Sequence, residues 1–244
     1  MSLLTRIIKK ITGIPATCTA VVVAAGSSQR MGGTDKLFAK ICGIPVIVHT
    51  LTAFQNSDYI DDIIVVTRED CIVTLAELCK KHKVKKVSKV MVGGESRLDS
   101  VINGVFACSW KTELIAIHDG ARPCVDLRTI EKTILKSTKR HAAAAGVPVS
   151  STLKKVKRNV ILETVDREDI IEIQTPQTFN ADLIKAALTK AKKDSPEITD
   201  DCMAIELLGV PVYVTEGSNR NIKITTIEDL GVAEAILKSK GGGK

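Results

Sequence analysis

Short apolar runs alternate along this chain with stretches in which apolar residues recur three and four positions apart. The runs 19–24, 62–67, 86–92, 114–118, 143–149 and 210–215 predict strands, and 19–24 (TAVVVA) is so continuously aliphatic that it reads as buried on both faces. Between the runs, Ile47, Leu51 and Phe54 follow Pro45 at helical spacing. Ser96 and Asp99 make an S-x-x-D cap ahead of Leu98, Val101, Ile102, Val105 and Phe106. Asn180 heads a stripe of Leu183, Ile184, Ala187, Leu188 and Ala191, and Thr226 with Asp229 heads Leu230, Ala233, Ile236 and Leu237. Alternation of this kind predicts an α/β fold, a mostly parallel sheet with helices on both faces.

Segment 150–176 breaks the rhythm. Thr152 to Lys157 and Val160 to Val165 are charged strand patterns around Arg158-Asn159, and Asn159 suits a turn with positive φ. Neither strand carries a full apolar face, and a lone hairpin is marginal in water. The pattern therefore predicts a projecting β-arm, about 150–173, on one domain of residues 17–240, with a second copy of the chain as its support.

Composition sharpens this picture. The chain has 244 residues, enough for one large α/β domain, and at 44% hydrophobic it can bury a sizeable core. Only 3% is aromatic, which suits an aliphatic sheet and argues against base-stacking nucleic-acid platforms; no nucleic-acid partner is expected. The net charge of +7 reads as a solvated lysine surface or as preparation for an anionic substrate. Seven scattered cysteines show no zinc spacing and no secretory signal precedes them, so reduced thiols in a cytoplasmic protein are expected. No apolar run approaches the roughly 20 residues of a membrane span.

Residues 1–16 stand apart as an amphipathic extension. Leu3, Leu4, Ile7, Ile8 and Ile11 recur at helical spacing with Arg6, Lys9 and Lys10 between them. The pattern fits a membrane surface or a partner, and equally an extra helix packed on the domain. The packed helix is preferred, because one short helix with a single anchoring signal binds lipid weakly. Residues 241–244 (GGGK) read as a flexible tail.

Candidate chemistry concentrates where strands end. The run 19–24 leads straight into Ala25, Gly26, Ser27, Ser28, Arg30, Met31, Gly32, Gly33 and Lys36. Small residues let backbone N–H groups approach an anion, and two fixed cations suit a polyphosphate. The loop is neither G-x-G-x-x-G nor a Walker A sequence. Gly93-Gly94-Glu95-Ser96-Arg97, with Ser100 one turn on, offers a flat slot with polar edges for a nucleotide base. His118-Asp119-Gly120-Ala121-Arg122-Pro123 ends another strand. Asp119 is well placed for a ribose hydroxyl or a magnesium ion near phosphates, His118 reads as a packed histidine, and Arg122 suggests ligand or loop-fixing work. Asp166-Arg167, Thr175-Pro176-Gln177, Ile198-Thr199-Asp200 and Asn221-Ile222-Lys223 each put a hydroxyl or cation near the end of an element, and Thr199 also suits a helix cap. With no G-x-S-x-G, H-E-x-x-H or Cys/His nucleophile pair, direct transfer is preferred to a covalent intermediate.

Together, AAG–RM–K, GGESR–DS, HDGARP, TVDR, TPQ, ITD and NIK, in that order over about residues 18–240, resemble the 2-C-methyl-D-erythritol 4-phosphate cytidylyltransferases of the non-mevalonate isoprenoid pathway. The resemblance implies a Rossmann-like nucleotidyltransferase sheet, a homodimer joined by projecting arms, and Mg2+-dependent transfer of CMP from CTP to a sugar-alcohol phosphate. It implies that Ala24, Ala25, Gly26, Gly94, Glu95 and Ser100 hold cytidine and ribose, with Asp119 near ribose and metal. Arg30, Lys36 and Lys223 would surround the triphosphate as the catalytic cations. Thr152 and Arg167 on the arm would grip the sugar phosphate bound to the neighbouring subunit, Thr175 and Thr199 would complete that pocket, and Arg97 and Arg122 would support it.

The chain departs from the family pattern at Ser28, where many members have glycine, and in the five residues between Arg30 and Lys36, where some have one more. Ribitol 5-phosphate cytidylyltransferases are the nearest alternative, with the same chemistry on a longer polyol. Their loop usually reads AGG rather than the Ala24-Ala25-Gly26 found here. A non-catalytic nucleotide-binding protein on this fold is the alternative from another class, and a degenerate site would not need Arg30, Lys36, Asp119, Arg167 and Lys223 all intact.

Overall fold

The computed structural model describes residues 17–26, 35–194 and 197–241. A seven-stranded sheet forms its centre. Four parallel strands, β1 (Cys18–Ala24), β4 (Asp62–Thr67), β5 (Val87–Val92) and β6 (Leu114–Asp119), lie in the order β6-β1-β4-β5. Beyond β6 come β10 (Ile171–Asn180), β7 (Ala142–Pro148) and β11 (Tyr213–Glu216). β10 runs antiparallel to both its neighbours, and β11 is parallel to β7. The short pair β2 (Lys40–Ile41) and β3 (Ile44–Pro45) stands outside this sheet.

Side chains on the sheet alternate between two cores, as a pleat buried on both faces requires. Ala20, Val22, Ile63 and Val65 face one core, closed by α1 (Val46–Asn56), α2 (Ile72–Lys81), α4 (Leu127–Arg140) and α7 (Glu228–Gly241). Val21, Ile64, Val66 and Ile117 face the other, closed by α3 (Arg97–Phe106), α5 (Ala181–Asp194) and α6 (Asp201–Glu206). Each fully buried aliphatic side chain contributes about 1.5–3 kcal/mol, so an aliphatic sheet needs no aromatic core.

Most predicted elements are present with shifted ends. The strand expected over 210–215 is Tyr213–Glu216, and the last helix runs to Gly241, one residue into the expected tail. β10 has no counterpart among the expected strands. Its polar sequence IEIQTPQTFN contains Pro176, behind a cis Thr175–Pro176 bond, and its pairing with β7 slips between Ile173 and Gln177. A proline can sit at such an irregularity without removing a ladder bond. The hairpin is there: β8 (Leu153–Lys157) pairs with β9 (Val160–Val165), and Arg158 and Asn159 both have positive φ, the signature of a tight two-residue turn. Ile171 already pairs with Pro148 in the main sheet, so the arm occupies the residues between these two.

Candidate functional site

A cavity of about 420 Å³ opens at the carboxyl ends of β1 and β6, a size suited to a small ligand. Val23, Ala24, Ala25 and Gly26 form one wall, and Gly94, Glu95, Ser96 and Ser100 form another. The walls meet through glycine. A Cβ on Gly93 would lie 2.6 Å from Ala25 Cβ, and one on Gly94 would lie 2.2 Å from Asp99 Cβ, so neither position admits a side chain without displacing its neighbours. Ser100 Oγ accepts from the Gly94 amide (3.1 Å) and donates to the Ser96 carbonyl (2.9 Å), fixing the loop to α3. Ser96 is itself the cap of that helix, accepting from the Asp99 amide at 3.0 Å.

The charged floor is built around Asp119. Its Oδ2 accepts from Arg122 Nε (3.2 Å) and pairs with Lys223 Nζ (3.1 Å), and Arg97 Nη2 stands 4.0 Å from Oδ1. Burial alone would raise the Asp119 pKa; Lys223, Arg97 and Arg122 outweigh it and bring it down to about 2. With Asp201 also paired to Arg97, two carboxylates face three cations, and the remaining positive charge is one that a polyanion can neutralise. Lys36 and Arg97 both line the cavity. Lys36 lies within a turn held by Asp35, whose carboxylate accepts from the Leu37 amide (3.0 Å) and from Arg68 Nη2 (2.5 Å) just past the end of β4.

A second layer holds these groups still. Arg122 Nη1 donates to the Asn221 carbonyl (2.7 Å), and Asn221 Nδ2 donates to the Thr175 carbonyl (2.8 Å), which pins the segment carrying Lys223 across the ends of β6 and β10. Thr175 Oγ1 accepts from the Asp119 amide at 3.1 Å. Arg97 forks onto Asp201 at 3.0 and 2.7 Å. Gln177 Oε1 in turn accepts from the amides of Asp201 and Cys202. His118 is fully buried against the Phe54 ring, centroids 4.8 Å apart, and burial pushes its pKa down to about 3.

The predicted site residues thus divide. Ala24, Ala25, Gly26, Lys36, Gly94, Glu95, Arg97, Ser100, Asp119 and Lys223 line one cavity. Arg122 and Thr175 are buried beneath it as fasteners. Arg30 lies outside the described residues. Thr152 and Arg167 are exposed at the root of the arm, where Arg167 Nη1 donates to the Ser150 carbonyl. Thr199 is exposed, and the cap of α6 is Asp200, whose carboxylate accepts from the Met203 amide at 3.0 Å; the expected Thr199 cap is one residue off. Asp35, Arg68 and Asp201 were not singled out from the sequence, and Gln177 and Asn221 were named only as members of TPQ and NIK, with no role of their own. An Asn or Asp beside a cation is too common a pattern to signal a bond across the fold, although TPQ and ITD did mark the right neighbourhoods.

No described helix is long and apolar enough to cross a membrane, and among the described residues no cluster of three or more His, Cys, Asp or Glu forms a metal cage.

The 2-C-methyl-D-erythritol 4-phosphate cytidylyltransferase family model matches residues 18–239. A relative of that name from Halalkalibacterium halodurans is 40% identical over 223 residues, covering 91% of this chain and 97% of its own. Another from Dehalococcoides mccartyi is 43% identical, covering 90% and 95%. Among solved structures, 4-diphosphocytidyl-2C-methyl-D-erythritol synthase from Anaerococcus prevotii superposes with a TM-score of 0.82 at 29% identity, over 97% of this chain and all of that one. The Thermus thermophilus cytidylyltransferase does so with a TM-score of 0.75 at 28% identity, over 89% and 98%.

Proposed function

The chain belongs to the 2-C-methyl-D-erythritol 4-phosphate cytidylyltransferase family, and on that premise we propose how its crevice performs the reaction. The enzyme transfers CMP from CTP to 2-C-methyl-D-erythritol 4-phosphate, giving the CDP-sugar alcohol and pyrophosphate in the non-mevalonate isoprenoid pathway. The acceptor's phosphate oxygen attacks the α-phosphorus of CTP in line, the bond to the bridging oxygen breaks, and pyrophosphate leaves. Ala24, Ala25, Gly26, Gly94, Glu95 and Ser100 hold base and ribose through close backbone approach. Lys36 and Lys223, with Arg30, meet the charge that gathers on the transferring phosphorus. Fixed cations that need not reorganise are the largest contribution available to a phosphoryl-type transfer.

The observation that carries this reading is the meeting of Lys36, Arg97 and Lys223 with Asp119 in one crevice walled by the Gly94 loop. Family membership favours methylerythritol phosphate over ribitol 5-phosphate as acceptor.

A magnesium ion fits the donor set. Mg2+ is commonly bound by one or two carboxylates together with substrate phosphates rather than by an all-protein cage, and Asp119 is a carboxylate held ionised at the crevice floor. Asp119 would hold the ion, which supplies charge neutralisation to the phosphates. Thr152 and Arg167 act on the sugar phosphate in a neighbouring chain's crevice, within a homodimer joined by the arms, and Thr199 serves the same pocket. Val156, Val160, Ile161 and Leu162 support this, since all four are more than half exposed on a hairpin too small to be stable alone. The enzyme works in the cytoplasm, consistent with seven cysteines and no disulfide.

Pyrophosphate release tests the reading. Purified protein with CTP and magnesium should release pyrophosphate with methylerythritol phosphate at least tenfold faster than with ribitol 5-phosphate. The reverse order would overturn the choice of acceptor, and no release with either would overturn the reaction.

A further inference from the structure

The turn that carries Lys36 is fastened from two sides. Its own backbone closes it: the Asp35 carbonyl accepts from the Phe38 and Ala39 amides (3.1 and 3.0 Å), and Asp35 Oδ1 accepts from the Leu37 amide (3.0 Å). Leu37 is buried, and its carbonyl accepts from the Ile47 amide of α1 at 3.0 Å. The second fastener comes from a different part of the sheet. Asp35 Oδ2 accepts from Arg68 Nη2 at 2.5 Å, an ion pair whose side chains are only 29% and 23% exposed. A pair sheltered in this way is screened by salt less than one on the open surface.

Arg68 is itself well anchored. It follows Thr67, which pairs with Ala24 of β1 and donates from Oγ1 to the Ala24 carbonyl at 3.3 Å. The Arg68 carbonyl accepts from the Cys71 amide (3.0 Å), which closes a tight turn beyond the strand. Nε donates to Asp70 Oδ1 at 3.2 Å, and Nη2 also reaches Sγ of the buried Cys71 at 2.9 Å. The guanidinium is thus a strut from the end of β4 to the turn of Lys36. Lys36 lines the crevice, and Arg68 is not among the described residues that do. Asp35 stands between them.

We infer that Arg68 is a positioning residue for the transfer: through Asp35 it sets where the Lys36 ammonium meets the phosphates, an inference that rests on the catalytic role proposed above for Lys36. A lysine is a point charge on a long, rotatable stem, so its backbone must be held if the charge is to be in place beforehand. A displacement of about 1 Å can cost on the order of a hundredfold in rate. The turn's own bonds fix its shape. The Arg68 strut fixes that shape against β4, and so against the crevice wall at Ala24.

Kinetics of pyrophosphate release in two backgrounds test this. Arg68→Ala should lower kcat by about ten- to a hundredfold, with KM for CTP changed by less than about twofold. Asp35→Asn, which keeps an acceptor for the Leu37 amide, should do the same, and it carries the prediction if Arg68→Ala does not fold. Arg68→Lys should stay within about threefold of wild type, because Asp35 takes one nitrogen rather than a fork. In a Lys36→Ala background, adding Arg68→Ala should cost less than about twofold more, since the group it positions is gone. A wild-type kcat in Arg68→Ala overturns the inference. So does an equal loss in both backgrounds, which assigns Arg68 to general stability. Normal turnover in Lys36→Ala removes the underlying reading and the inference together, whereas a slow Lys36→Ala beside a normal Arg68→Ala removes the inference alone.

Discussion

The crevice and the arm carry the same kind of side chain under opposite physical conditions. Lys223, Arg97 and Arg122 at the crevice are held by Asp119, Asp201 and the Asn221 carbonyl, with Arg122 buried, Arg97 half-buried and the two carboxylates buried beneath them. Arg167 on the arm meets water and one backbone carbonyl, and the strands beside it are exposed along nearly their whole length. Preorganisation is built where a charge must be stabilised without delay. The arm is a formed hairpin that leaves Ile161 and Leu162 exposed. On the proposed reading, one half of the site is finished within a single chain, and a second chain would complete the other.

That contrast can be broken most forcefully from the crevice side. Lys36→Ala, and Arg30→Ala beside it, should lower turnover about a hundred- to thousandfold, or about 2.7–4 kcal/mol. Thermal unfolding should move little, and near-normal turnover in either variant would remove the catalytic role. Next in size is Arg97→Ala. Asp201 is only 1% exposed, and losing its fork partner should cost about 3 kcal/mol in urea unfolding, because an uncompensated carboxylate remains. A loss below about 1 kcal/mol would mean that water replaces the arginine.

These fasteners also mark the limit of what the chain's pattern reveals. The aliphatic strands, the helix caps at Ser96 and Asn180, and the hairpin turn were all legible, because each is a local rule written in neighbouring residues. The cavity-lining set was legible because the family motifs mark it. β10 was not: its apolar positions are few, and its place between β6 and β7 is decided by partners that wrap Gln174, Thr175 and Gln177 in hydrogen bonds. The Arg97–Asp201 fork joins positions 104 apart, a pairing that no local spacing announces.

A pH-graded effect, small near neutrality, comes from His118, below the floor of the crevice. Its unfolded pKa is about 6.5 and its folded value about 3, so the unfolded chain takes up a proton that the folded one refuses. Stability should therefore be full above about pH 6.5 and fall by about 1.4 kcal/mol per unit as pH drops toward 3. His118→Leu should flatten that slope in urea unfolding measured across the window, and an unchanged slope would assign it elsewhere. Smallest on the single chain is the arm. Ile161→Asp should change the stability of the isolated domain by less than about 0.5 kcal/mol. It should still convert the dimer to monomer in sedimentation and raise KM for the sugar phosphate.

The division of labour between the two regions is tested most directly by mixing defects. Chains carrying Lys223→Ala have a disabled crevice and a sound arm, and chains carrying Arg167→Ala have the reverse. Each should be nearly inactive alone. Co-expressed in equal amounts, they form mixed dimers with one intact composite site, and turnover should recover to about a quarter of the wild-type value, as random pairing in a two-fold dimer requires. Activity no higher than that of the separate variants would show that crevice and arm do not act across two chains.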